Sequence, residues 1–494
     1  MKLDEYREHD GVGLARLVSD GQVTASEVLA CAIGGAERVD PVLNAIARPM
    51  LGEAARQAAG PLSGPFAGVP FYIKDLMQDY AGLPSGFGSR ALQHARAPEH
   101  DEVVRRWLDA GLVILGKTST PEFGLKGVTE PHVHGPCRNP WNPGRTPGGS
   151  SGGSAALVAA GVVPAAGAND GGGSIRIPAS FCGLFGLKPG RGLVPDGPSH
   201  ESYLFGASVN GVVSRTVRDS ALMLDVMVDG PREGRFTAAT RSRPRQMRIG
   251  FSAGSPFGSE VSAEAVAAME RAAALCEELG HTVEEASPAI DGRALVEDFS
   301  TAFSVYAASQ IDEAKRAWGA TDGKFEFETR VLAALGRATT APEFYASHDR
   351  WHGYARGLAE FHDRFDLLLT PTVARPAPRI GELDTPKALA AAVRPLLGLG
   401  LVERLAALDV WRQHVRQSIS VVPFTQLANL TGAPAMSVPL HHTAQGLPMG
   451  AQWVAPPGGE ELLLALAAEL EEAQPWAGHW PEVSVTTAAA TTPR

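Results

Sequence analysis

Two serine clusters set in glycine are the most chemically suggestive feature of this 494-residue chain. The first is Gly148-Gly149-Ser150-Ser151-Gly152-Gly153-Ser154, and the second is Asn169-Asp170-Gly171-Gly172-Gly173-Ser174. Glycine lets the backbone turn sharply and come close to a ligand. Runs of it also leave N–H groups free to point at an anion. Ser174, placed after three glycines, therefore has a hydroxyl nucleophile and nearby donors for an oxyanion, which are the needs of an acyl-transfer site. A third residue of interest is Lys74, which ends the apolar, β-rich segment Gly68-Val69-Pro70-Phe71-Tyr72-Ile73. A lysine at a strand end ordinarily snorkels to solvent. It can act as a base only where burial and neighbours lower its pKa, and an apolar strand suits that.

Gly/Ser-rich stretches also make flexible linkers. Against that, residues 155–161 read as a short buried helix, and the following Phe181-Cys182-Gly183-Leu184-Phe185-Gly186-Leu187-Lys188-Pro189 has core composition. Gly111 to Thr118 fits the phosphate-loop pattern G-x-x-x-x-G-K-T. Its spacer is itself an apolar strand, a helix precedes it and Pro121 follows, so no nucleotide site is expected. Gly149 to Gly153 fits G-x-S-x-G, which would make Ser151 the nucleophile of a strand-to-helix elbow. Residues 141–147 are turn chemistry rather than the strand such an elbow requires, and this stays a minor alternative. His132 and His134 have no third ligand in evidence and read as loop histidines.

Taken together, these segments resemble the signature of the amidase signature family of serine hydrolases. That family carries GGSSGGS, a small-residue helix, a D-x-G-G-S-I-R-x-P run and a C-G-x-x-G-L-K-P run, matched here at residues 148–154, 170–178 and 182–189. Further matches are G-x-P-x-x-x-K-D at 68–75 and the segments 211–219, 365–372 and 424–454, so the resemblance covers roughly residues 25–475. One departure is Ala168-Asn169, where many members have Gly-Thr, and it reads as subfamily variation near the site. The resemblance implies a Ser–Ser–Lys triad of Ser174 (nucleophile), Ser150 (bridging serine) and Lys74 (base). The 24-residue separation of the two serines matches the family. It further implies an oxyanion hole from the N–H groups of Gly171, Gly172, Gly173 and Ser174, and a cis peptide bond at Gly149–Ser150. Ser151 and Asp170 are expected to support the site by hydrogen bonds. Arg176 either pairs with Asp170 or is purely structural. Gly124 and Leu125 are expected to line the acyl pocket, and Phe303 its wall. The implied activity is hydrolysis of linear or cyclic amides, with esters and carbamates (urethanes) open, and no cofactor or metal is called for. Within the family, the N-D-x-x-G-S loop, residues 370–383 and the Asn429-Leu430-Thr431-Gly432-Ala433-Pro434-Ala435 run are most like those of hydrolases of cyclic nylon-oligomer dimers. A glutamine-dependent amidotransferase subunit and a non-catalytic binding protein are the alternatives. The many aromatics downstream favour a bulky acyl group over glutamine, and the presence of all three triad residues argues against lost activity.

Composition is that of an ordinary soluble globular protein: 44% hydrophobic and 20% charged residues, with net charge −10. An acidic chain without a basic cluster is not expected to bind nucleic acid. No run approaches the ~20 apolar residues of a membrane helix. The charged N-terminus does not read as a signal peptide. Cys31, Cys137, Cys182 and Cys276 lie far apart without C-x-x-C spacing, which fits free thiols in a reducing cytoplasm. The expected partner is a small-molecule amide substrate, and a homodimer stays open.

The elements that must hold these residues form an α/β fold, which the resemblance makes a mixed β-sheet with helices on both faces. Thr24 and Glu27 have capping-box spacing for a helix that Asp40-Pro41 should stop, before a short strand at 43–46. A helix is expected at 101–110 and a strand at 112–115. Strand 248–251, helix 264–279 and strand 282–284 alternate as in a sheet extended by crossovers. Residues 1–483 are expected to form one domain, with a last helix at 460–470 and a disordered tail at 484–494. Residues 292–420 are mostly helical and aromatic, with Phe299, Phe303, Tyr306, Trp318, Phe325, Phe344, Tyr345, Trp351, Tyr354 and Trp411, most of them expected in a helical layer on the sheet.

Overall fold

A computed structural model describes residues 1–198, 202–229, 234–399 and 417–487; Trp411 and positions 488–494 of the tail lie outside them. Among the described residues, eleven strands form one mixed sheet. They are β1 (Ile46–Pro49), β2 (Pro70–Lys74), β3 (Val113–Thr118), β4 (Ala165–Asp170), β5 (Phe185–Lys188) and β6 (Val209–Ser214). The rest are β7 (Arg248–Phe251), β8 (Thr282–Glu285), β9 (Leu367–Pro371), β10 (Ala435–His442) and β11 (Pro448–Val454). Their order is β1-β3-β2-β4-β6-β5-β10-β11-β9-β7-β8. β2 runs parallel to both β3 and β4, and β7 parallel to β8 and β9, while the remaining pairs are antiparallel. Helices cover both faces, as the amidase signature resemblance implies.

Thr24 caps helix Ala25–Leu43 in a reciprocal capping box with Glu27. The helix does not stop at Asp40-Pro41. Pro41 falls in its last turn, and the chain leaves through Asn44 in the left-handed conformation, so β1 begins later than expected, at Ile46. The phosphate-loop look-alike is settled by β3. Gly116, Lys117 and Thr118 belong to the strand itself, and Lys117 is fully buried with its Nζ donating to Ser85 Oγ at 2.6 Å.

The helical region departs from expectation in where it packs. Helices Gly292–Trp318, Phe327–Ala338 and Ala341–His362 build a second core with Leu76, Met77, Phe87, Phe123, Tyr203 and Leu204. Those partners lie on loops outside the strands, so the layer mainly roofs the strand ends instead of lying on the sheet. Phe299, Tyr306, Phe325, Trp351 and Tyr354 are buried in it, whereas Trp318 and Tyr345 are exposed. The end of helix Ala341–His362 reaches the sheet, through Phe361 near Leu368 and Val454.

Candidate active site

β2 and β4 run side by side in the same direction, so their carboxyl ends share one edge of the sheet, the usual place for a ligand site in a parallel arrangement. Tyr72 pairs with Ala166. That register sets Lys74, the last residue of β2, level with Ala168, one residue before Asn169. Gln78 secures the junction. Its Oε1 accepts from Lys74 N at 2.6 Å, and its Nε2 donates to Ala168 O at 3.0 Å.

The Lys74 side chain is fully buried. Its Nζ donates to Asn169 Oδ1 at 2.7 Å and lies 2.7 Å from Ser150 Oγ. Burial drives its pKa well below the ordinary lysine value, with the Asp170 charge opposing only in part. Ser150 reaches this point from the turn before helix Gly152–Ala159, through a cis peptide bond after Gly149. A Cβ at Gly149 would fall 2.7 Å from Lys126 O and Val128 N, both backbone, so only glycine fits there. Ser151 lies behind, its Oγ within 3.3 Å of Asn169 O and 3.4 Å of Asn169 N.

Asp170, at the end of β4, organises the loop that carries Ser174. Its carboxylate accepts from Gly173 N at 2.7 Å and Ile175 N at 3.2 Å. Arg176 grips it with Nε and Nη2, both at 2.9 Å, in a fully buried bidentate pair. Burial alone would raise the Asp170 pKa; the Arg176 guanidinium outweighs it and holds the carboxyl far below the usual range. Arg176 also donates to Thr425 O, Gln452 Oε1 and Asn429 Oδ1, at 2.7–2.9 Å. Thr425 Oγ1 in turn donates to Gly172 O at 2.6 Å. The loop is thus held from beneath by a chain segment some 250 residues away. Of the four N–H groups expected to face an oxyanion, that of Gly173 is directed at Asp170, leaving those of Gly171, Gly172 and Ser174.

Exposure separates the three residues of the expected triad. Ser174 keeps 9%, Ser150 2% and Lys74 none, so Ser174 is the most accessible of the three. It stands where two cavities adjoin. The larger, about 170 Å³, is lined by Gly124, Leu125, Gly172, Ser174, Phe299 and Phe303 among others. The smaller, about 20 Å³, is lined by Ser150, Asn169, Gly171 and Ser174, again with Gly124 and Phe303. It has room for little more than a water molecule. Gly124, Leu125 and Phe303, expected at the pocket, all line the larger cavity. Among the described residues no group of three His, Cys, Asp or Glu side chains could hold a metal ion, and no helix is long and apolar enough to cross a membrane.

The sequence assigns no role to several residues at the site, among them Asn169, Thr425, Gln426, Asn429 and Gln452. Asn169 carried a signal, since it departs from the Gly-Thr of many family members. The others lie in the closing segment, whose match to the family gives no role to individual residues.

A family model described as Amidase matches residues 27–464. The 6-aminohexanoate-cyclic-dimer hydrolase of Paenarthrobacter ureafaciens is 38% identical over 493 residues, covering 96% of each chain. A solved structure of 6-aminohexanoate cyclic dimer hydrolase superposes with a TM-score of 0.88 at 34% identity, covering 97% of this chain and 99% of that one. A bacterial aryl acylamidase structure follows with a TM-score of 0.80 at 27% identity, covering 95% and 99%. With sequence and fold matched over nearly its whole length, the chain belongs to the amidase signature family and is an amidase, a hydrolase of amide C–N bonds.

Proposed function

We propose that Ser174 attacks the substrate carbonyl and that Ser150 and Lys74 carry its proton. The observation that supports this most directly is the buried, neutral-leaning Lys74 amine 2.7 Å from Ser150 Oγ, with Ser150 and Ser174 lining one cavity. As Ser174 Oγ bonds to the carbonyl carbon, its proton passes to Ser150 Oγ, which gives its own proton to Nζ. The N–H groups of Gly171, Gly172 and Ser174 stabilise the oxyanion; one such donor is typically worth ~3 kcal/mol. Collapse expels the amine, which takes the proton back along the same path. Water entering beside Ser150 then hydrolyses the acyl-enzyme by the reverse relay.

The substrate is a linear or cyclic amide whose bulk fills the apolar cavity under Phe299 and Phe303. The likeness to 6-aminohexanoate-cyclic-dimer hydrolases makes a cyclic diamide the first candidate, with esters and urethanes as further substrates. The unbroken eleven-stranded sheet favours one folding unit over residues 1–483. The test is a panel of a nitroanilide, a nitrophenyl ester, an aryl carbamate, glutamine and the cyclic amide dimer, given to wild type and Ser174→Ala. Turnover by wild type alone is expected. Turnover retained by Ser174→Ala would overturn the assignment, and turnover of glutamine alone would point to an amidotransferase subunit.

A further inference from the structure

Gln426 opens helix Gln426–Thr431 and forms part of the wall of the larger cavity, with Ser174, Gly172 and Phe299. It is 2% exposed. Its Nε2 donates to Val422 O at 2.8 Å, which fixes the amide orientation. Its Oε1 is buried and, among the described residues, has no hydrogen-bond partner. Buried acceptors are nearly always satisfied in native proteins, and of the buried polar atoms without a partner among the described residues this is the one on a residue that lines the larger cavity. The charged groups of the wall are already engaged. Lys126 pairs with Glu328, and Glu328 also accepts from Thr385 N and Oγ1, at 3.0 and 2.6 Å.

Nor can Gln426 easily turn away to find a partner. The residue before it is tied to the nucleophile loop by Thr425 Oγ1 on Gly172 O, and by Arg176 Nη1 on Thr425 O. Gln452 Nε2 holds Phe424 O at 2.9 Å. Gln426 is therefore held at a set place relative to Ser174, in the wall of a cavity that Ile177, Phe299, Phe303 and Val422 also line.

We propose that Gln426 is a specificity-determining residue: its carbonyl oxygen accepts a hydrogen bond from an N–H group of the substrate other than the scissile amide. The substrate class is then an amide carrying a second N–H donor in the part that fills the larger cavity, a diamide above all. This rests on hydrolysis at Ser174 as proposed above. A site built to accept such a donor discriminates strongly against the analogue that lacks it, because the buried acceptor is left unpaired.

The experiment compares kcat/KM for two nitroanilides whose acyl chains carry either a secondary amide or its N-methylated counterpart. Wild type should prefer the N–H substrate by about 10- to 100-fold, mainly through KM. Gln426→Met, similar in size but without the acceptor, should bring the ratio near one. Gln426→Glu, which still accepts, should keep a preference. Equal kcat/KM in wild type, or a ratio that survives in Gln426→Met, would overturn the proposal. Calorimetric binding of the corresponding uncleavable anilides to Ser174→Ala reads the same ratio without turnover. A failure of the Ser174 chemistry shows separately, as loss of phosphonate labelling at Ser174 in the wild type.

Discussion

Replacing Asn169 by Asp puts a carboxyl where a neutral amide now accepts a hydrogen bond from Lys74 Nζ at 2.7 Å. If the carboxyl ionises, it favours the lysinium. A unit charge pair at about 4 Å, with an effective dielectric of about 20, is worth ~4 kcal/mol. That corresponds to a rise of ~3 units in the Lys74 pKa. If the carboxyl stays protonated, its O–H donates to Nζ. The amine lone pair is occupied in both cases, and Ser150 loses its proton acceptor. The acid limb of kcat/KM for a nitroanilide should move up by ~2–3 pH units, and activity at pH 7 should fall ~10²- to 10³-fold. Activity should return at alkaline pH, once the proton held between the new carboxylate and Lys74 is lost, and this recovery separates the effect from misfolding. Asn169→Thr keeps an acceptor without a charge and should retain the wild-type limb. An Asn169→Asp enzyme with the wild-type pH profile would refute the claim that neutral Lys74 is the base.

Lys74→Ala should be nearly inactive at neutral pH, and near-normal turnover in the nitroanilide assay would remove Lys74 from the relay. Arg176→Met leaves the fully buried Asp170 charge without its partner, and such a loss typically costs about 3–5 kcal/mol, measurable by chemical denaturation. Stability should also fall as pH rises from about 4 to 7. Asp219 accepts from Gly11 N and Val12 N beside Asp10, and both it and Glu471 have their pKa pushed up to about 7, chiefly by burial, with the nearby Asp10 charge adding to it. The folded state then holds protons that the unfolded chain has released, so folding loses free energy across that window. Melting temperatures between pH 5 and 8 check this, and Asp219→Asn should flatten the slope.

What was legible in the sequence was whatever chemistry residue type alone can announce. A serine after three glycines and a lysine ending an apolar strand keep their meaning without knowledge of their neighbours, and the family pattern supplied their pairing. β4 was not legible. Ala165-Ala166-Gly167-Ala168-Asn169-Asp170 has none of the branched or aromatic residues that mark strands. Its residues are small because other groups crowd it: a Cβ on Gly167 would fall 2.4 Å from Gln78 Oε1 and 3.0 Å from the Trp107 ring. Packing demand overrode strand propensity there, and the same strand carries Asn169 to Lys74.

Uncharged polar residues raise a harder problem, because an amide or hydroxyl acquires a role only from what reaches it. Asn169 could be flagged as a departure from the family, yet nothing local says that its Nδ2 is anchored on Leu76 O, at 2.7 Å, so that Oδ1 must face the lysine. The Gly173 N–H looks identical to its neighbours in sequence, and only the position of the Asp170 carboxylate takes it out of the expected oxyanion set. Gln426 is the limiting case. Its significance lies in an unmade bond, which appears only once Val422 has claimed one end of its amide and Thr425 has fixed the backbone beside Ser174. The reaction can therefore be read from a few residue types, whereas substrate choice depends on acceptors and donors that the fold leaves unpaired around them.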